Sequence, residues 1–269
     1  LAAYPHSAYG PPVQWPQLPD VPVYHNRAIW PFVTAYGLRE ARRHDLPAHV
    51  AHDVAGMVTT AALNVSNMEN VEYLHGANWW DDGALSGPVV NSRRQLWSVA
   101  GYLSMVVDTL YGMESAPDGL SFTPYVPGEV RDTLFANTDR VVLGAFPYMG
   151  HTLDVEIRLP MADQGHVAAA RVASVTLDGE PLDGALSADQ LGDSSRLVIT
   201  LVASDADAPA VVTVDPSMAG NALFGTSEPV LNGISGGNGA RELTWSGPSG
   251  AEYAVYRDGE RISEGVSGT

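Results

Sequence analysis

The sequence predicts an α+β chain of more than one domain, with helices first, an antiparallel β-sandwich next and a short separate β unit last. Three observations carry this. Apolar residues recur at helical spacing in three segments that end by Gly112. From Leu120 the pattern changes to short β runs separated by Gly, Pro and Asp. A stretch rich in Gly, Ser and Asn, residues 216–240, then reads as a linker to the last β-rich piece. The implied domains are residues 1–118, 119–215 and 241–269.

Residues 1–24 hold Pro5, Pro11, Pro12, Pro16, Pro19 and Pro22 among Tyr4, Tyr9, Trp15 and Tyr24. Proline removes donors and restricts the residue before it, so this stretch is an extended loop. A helix over 29–43 follows, because Pro31 is tolerated in a first helical turn. Its Arg39, Arg42 and Arg43 gather toward the C-terminal end, where cations suit the helix dipole. Residues 47–64 give a second helix, with Val50, Val54, Met57, Val58 and Ala61 at helical spacing. Residues 93–112 give the clearest one. Leu96, Val99, Ala100, Leu103, Val106, Val107 and Leu110 form its apolar face, and Gly112 stops it.

The predicted strands are 141–143, 152–157, 172–177, 197–202 and 211–214, with Asp178-Gly179 as a hairpin turn. Residues 242–246 and 253–259 begin another β unit. This last unit resembles the first strands of a fibronectin type III module.

The chain has 269 residues, enough for two modest domains, and is 45% hydrophobic. Its formal net charge is −17, and all 14 basic residues are arginine. No basic patch exists to neutralise phosphates, which argues against nucleic acid or an anionic membrane surface as partners. There is no cysteine, so no disulfide forms. No apolar run is long enough to span a membrane. The chain starts at Leu1 without a methionine or a signal peptide, so a processed or partial precursor is expected.

The chemistry concentrates in three places. Tyr24-His25-Asn26-Arg27-Ala28-Ile29-Trp30-Pro31-Phe32 loads the entry to the first helix with rings and multi-donor groups. Rings stack on the C–H face of a sugar and fork-shaped polar groups bind hydroxyl pairs, so the segment suits a sugar site. An aromatic cap on a core helix is an equal alternative. Asn67-Met68-Glu69-Asn70-Val71-Glu72-Tyr73 leads into Trp79-Trp80-Asp81-Asp82-Gly83. Gln95-Leu96-Trp97-Ser98 then opens the third helix.

In this order along the chain, over roughly residues 20–127, the pieces resemble the C-terminal part of the catalytic barrel of six-hairpin, or (α/α)6, glycoside hydrolases. That broad group includes glucoamylase-like, trehalase-like and mannosylglycerate-hydrolase-like enzymes. The resemblance implies the last helices of such a barrel, an oligo- or polysaccharide substrate and an inverting mechanism without metal or cofactor. It implies a periplasmic or extracellular location. It places the general base on Asn67–Asn70, hence Glu69, with Glu72 second. It assigns Tyr24, His25, Asn26, Arg27, Trp30, Trp79, Trp80, Asp81, Gln95 and Trp97 to the substrate. Arg27 departs from the glycine often found there, which implies a narrower or charged subsite. The general acid is expected upstream of Leu1. Three helices cannot close a toroid, so their apolar faces are expected to meet further chain.

Other patterns weigh less. A helix-end glutamate solvated at the surface is the plain alternative for Glu69. Gly233-Ile234-Ser235-Gly236-Gly237 has the form G-x-S-x-G but lacks the strand-turn-helix that a nucleophile elbow needs. His44, His49 and His52 have loose ligand-like spacing and are expected to be solvated on an outer helix face. Asp205 and Asp207 suggest calcium without a full ligand loop. The competing functions are a carbohydrate-binding or adhesion fragment and a glycoside phosphorylase.

Overall fold

The computed structural model describes residues 4–18, 21, 23–80, 87–88, 92–162, 165–204, 206, 209–213, 229–237, 239–247, 249–258 and 260–267. The chain divides into two compact units, residues 1–14 with 22–216, and residues 15–21 with 217–269.

In the first unit, strand β1 (Ala28–Ile29) runs into helix α1 (Pro31–Arg43), and α2 (Pro47–Asn64) follows. Both helices start with proline in the first turn. Helix α2 ends at Val65 in the left-handed conformation, φ 50°. Strands β2 (Val71–Glu72), β3 (Trp79–Trp80) and β4 (Gly87–Pro88) lead to α3 (Leu96–Ser104). A π-helical stretch, Met105–Leu110, continues α3, and the hairpin β5 (Met113–Ala116) and β6 (Gly119–Phe122) follows it. A short helix α4 (Gly128–Asp132) precedes the main sheet.

That sheet holds β7 (Arg140–Tyr148), β8 (His151–Arg158), β9 (Arg171–Leu177), β10 (Glu180–Pro181) and β11 (Ser194–Val202). Its order is β10-β9-β11-β8-β7. The β7–β8 turn takes positive φ at Met149 and Gly150, and the β9–β10 turn does so at Asp178 and Gly179. Positive φ at both central residues is what a two-residue hairpin of matching twist requires. Alternate residues of β8 and β11, Leu153, Val155, Ile157 and Leu197, Ile199, Leu201, are buried. They share one core with Leu38 and Ala41 of α1, Val50, Val54 and Met57 of α2, and Val130 of α4. On the opposite side of β8, the buried Glu156 carboxylate pairs with Arg158 at 2.9 Å and with Arg196 of β11.

The expected architecture needs correction. The last helices of an (α/α)6 barrel are not what forms. Among the described residues there are four α-helices, of 13, 18, 9 and 5 residues, and the remainder is dominated by strands in small sheets. The helices place their apolar residues in a core shared with the sheet instead of in a ring of helix hairpins. The antiparallel sandwich is corrected as well. The five strands make one mixed sheet in which β11 lies between β9 and β8 and runs parallel to β8. The stretch expected as a strand at 211–214 contributes an isolated bridge from Thr213 to His6.

The second unit holds two separate ribbons, β12 (Val230–Ser235) with β13 (Glu242–Ser246) and β14 (Glu252–Arg257) with β15 (Glu260–Ser267). Strand β12 lies inside the expected linker. Among the described residues the two ribbons do not join into a sheet of fibronectin type III kind. Gly233 and Ser235 lie on β12, which turns back into β13, so no nucleophile elbow forms.

Candidate functional site

A two-residue ribbon brings the first two chemistry-bearing segments together. Strand β1 pairs antiparallel with β2, Ala28 opposite Glu72 and Ile29 opposite Val71. The Tyr73 N–H donates to the Arg27 carbonyl at 2.9 Å. Arg27 takes a φ of 58°, a region that a residue with a Cβ rarely enters. The loop before α1 is thereby tied to the loop after α2.

Four of the predicted rings form one cluster. His25 stacks on Trp30, with centroids 5.0 Å apart and planes 12° apart. Tyr24 meets both edge-on, at 4.5 Å and 5.1 Å. The Trp30 indole N–H donates to the Tyr24 carbonyl at 2.9 Å, which satisfies its one donor. Trp97, in the first turn of α3, lies 6.0 Å from Trp30 and stacks on Phe32 at 5.2 Å. Exposure separates the members. Trp30 is 5% exposed and Trp97 is 44% exposed. His25 is exposed, Tyr24 is half-buried, and Asn26 and Arg27 are buried with partners inside the protein. The exposed ring surface is therefore that of His25 and Trp97, with Trp30 as the layer beneath.

Glu69 is half-buried at the start of α3. Its carboxylate accepts the Ser92 N–H at 2.8 Å, its own N–H donates to the Ser92 carbonyl at 2.9 Å, and its carbonyl accepts the Ser98 hydroxyl at 3.4 Å. The Gln95 N–H donates to the Asn67 carbonyl at 3.2 Å, and Gln95 precedes the helix without a side-chain cap bond.

Glu72 differs. It is 0% exposed. One carboxylate oxygen accepts the Leu74 and His75 N–H groups at 2.9 and 2.7 Å and lies 2.9 Å from His75 Nδ1. The other oxygen is buried without a hydrogen bond. Burial raises its pKa, more than these bonds lower it. In this conformation Glu72 holds the turn at 73–76 and is closed off from solvent. Trp79 and Trp80 lie on β3, opposite Pro88 and Gly87. Asp81 and Asp82 lie outside the described residues, as do Asp205 and Asp207.

Several residues escaped the sequence reading. An opening of about 500 Å³ lies between α1 and α3, lined by Phe32, Tyr36, Arg39, Trp97, Leu103 and Asp108 among others. Arg39 pairs with Asp108, which also accepts the Ser104 hydroxyl at 2.6 Å. The spacing Phe32, Tyr36, Arg39 is one helix face, and that signal marks them. The histidines also need correction. His44 is exposed, but His49 is buried and His52 is partly buried, beside Asp53 and His6.

No family model matches the chain, and no curated protein matches it. No described helix is long and apolar enough to cross a membrane.

Proposed function

We propose that the chain holds a carbohydrate across the opening between α1 and α3, and that Glu69 acts as the general base of an inverting glycoside hydrolase. One observation carries this reading. The half-buried Glu69 carboxylate is fixed by Ser92, four residues before the helix whose first turn supplies the exposed Trp97 ring. Phe32, Tyr36 and Trp97 offer ring faces for sugar C–H surfaces, and the Arg39–Asp108 pair offers donors and acceptors for hydroxyls. An inverting reaction uses two carboxylates about 6.5–9.5 Å apart with a water on one of them. Glu69 is the carboxylate of its segment with solvent access, and the Ser92 N–H fixes one of its two oxygens.

A second reading, binding without hydrolysis, is favoured by the burial of Glu72, the other carboxylate of that segment. The test measures retention on a panel of oligo- and polysaccharides, together with product release followed by NMR at the anomeric proton. The expected result is retention, inverted product, and a loss of turnover of about a hundredfold or more in Glu69→Gln with binding preserved. Retention without turnover selects the binding reading. Absence of retention on every sugar overturns both. Turnover that depends on inorganic phosphate selects a phosphorylase.

A further inference from the structure

The N-terminal segment is seated closely on α2. The His6 N–H donates to the Val212 carbonyl at 2.8 Å, and a tight turn closes between Ser7 and Gly10 with bonds of 3.1 and 3.2 Å. Gly56 permits the approach, because a Cβ there would lie 2.6 Å from the Tyr9 carbonyl oxygen. This seat sets the His6 ring against the face of α2 that carries His49, His52 and Asp53, at helical positions i, i+3 and i+4. His6 Nδ1 lies 3.0 Å and His52 Nδ1 3.7 Å from the same oxygen of Asp53. One ligand atom from each of His6, His52 and Asp53 falls within 4.8 Å of the others.

The cluster is buried, and its hydrogen bonding is incomplete. His6 is 1% exposed, and its Nε2 has no hydrogen-bond partner. The buried His52 Nδ1 also lacks one. Buried polar atoms are ordinarily satisfied, so the unpartnered His52 Nδ1, 3.7 Å from the Asp53 carboxylate, calls for an occupant.

We propose that His6, His52 and Asp53 bind a divalent transition ion of the zinc type. Two imidazoles and one carboxylate suit zinc, cobalt or nickel, whereas calcium and magnesium prefer oxygen ligands throughout. Zinc holds such ligands at about 2.0–2.2 Å, so a tetrahedral set stands about 3.4 Å apart. The widest pair, no more than 4.8 Å apart, must close by at most about 1.4 Å to reach that spacing. The His52 side chain is 18% exposed, the least buried of the three ligands. Water takes the fourth position, with the His49 ring edge-on to His6 at 5.6 Å. The ion cross-links the N-terminal segment to α2, and this role is independent of any sugar chemistry.

The experiment uses the full chain after chelator treatment. Zinc is titrated by calorimetry, cobalt by its visible ligand-field band, and the melting temperature is read with and without each ion. One equivalent is expected to bind. The cobalt band should be that of a tetrahedral site, and the melting temperature should rise with ion concentration, because the site exists only in the folded state. His52→Ala, at the least buried ligand, should keep the fold and weaken binding by at least about tenfold, the scale seen when metal-site support is lost. His49→Ala should leave affinity within a few-fold. An unchanged melting temperature with no cobalt band overturns the proposal, and so does undiminished binding in His52→Ala. If Asp53→Asn does not fold, His52→Ala still decides.

Discussion

His25 lies flat on Trp30, and the indole beneath it has spent its N–H on the Tyr24 carbonyl. Trp30, one of the rings assigned to the sugar, is therefore a supporting layer. The exposed members, His25 and Trp97, face solvent.

This arrangement separates two substitutions. Trp30→Ala removes a buried aromatic and should lower stability by about 3–5 kcal/mol. Trp97→Ala removes a ring that is nearly half exposed and should cost about 1 kcal/mol of stability, while abolishing retention on a sugar matrix. Denaturant titration and affinity electrophoresis of both variants check this. Equal stability losses would show that Trp97 is core.

Glu72 gives stability a particular pH dependence. Burial raises its folded-state pKa above the ordinary glutamate value, against the bonds from Leu74 and His75. The folded protein thus holds that proton more tightly than the unfolded chain. The cost of ionising it is absent below the unfolded pKa of about 4.3 and grows as pH rises toward the folded pKa. Wild type should lose stability relative to Glu72→Gln as pH rises through that window. A flat difference between pH 4 and pH 8, on the order of the unfolded value and above, would refute the shift.

Glu156 should behave in the opposite sense. Hydrogen bonds from Arg196 and then Arg158 hold its carboxyl below the ordinary range, more than burial raises it. Its contribution is present above the unfolded pKa of about 4.3 and is lost as pH falls through the folded value. Glu156→Gln should therefore differ from wild type at neutral pH and converge with it in acid. Thermal melts across the acid range test this, and a difference that persists at the lowest pH would sink it.

Gly56→Ala tests the seat of the N-terminal segment. Alanine gains about 1 kcal/mol of helix propensity over glycine. Overpacking against a fixed backbone typically costs about 1–3 kcal/mol, and a Cβ here would meet the Tyr9 carbonyl carbon at 2.7 Å. The packing cost should win, so the variant melts lower than wild type. A higher melting temperature would mean that residues 6–10 do not lie on α2.

Much of the local structure is legible in the sequence. The starts of α1 and α2 follow from Pro31 and Pro47, because proline fits only a first turn. The hairpin at Asp178-Gly179 follows from residues that tolerate positive φ. Strands β8 and β9 lie within a residue or two of their predicted spans. Each of these is decided by neighbours in the chain. The candidate site is legible only in its parts: the ring-rich segment and Glu69 are visible as residues, but which ring faces solvent is not.

The tertiary structure alone decided the rest, because those features join residues far apart in sequence. Strand β11 inserts parallel to β8, where alternation along either strand gives no sign of its neighbour. The β1–β2 pair sets Glu72 opposite Ala28 and strips it of water, whereas Glu69, three residues earlier, keeps solvent access. His6 acquires meaning only when it lies against His52 and Asp53, and nothing in its own neighbourhood marks it. Periodicity and turn chemistry are local signals. Burial, charge pairing and ligand geometry belong to contacts, and only the fold supplies those.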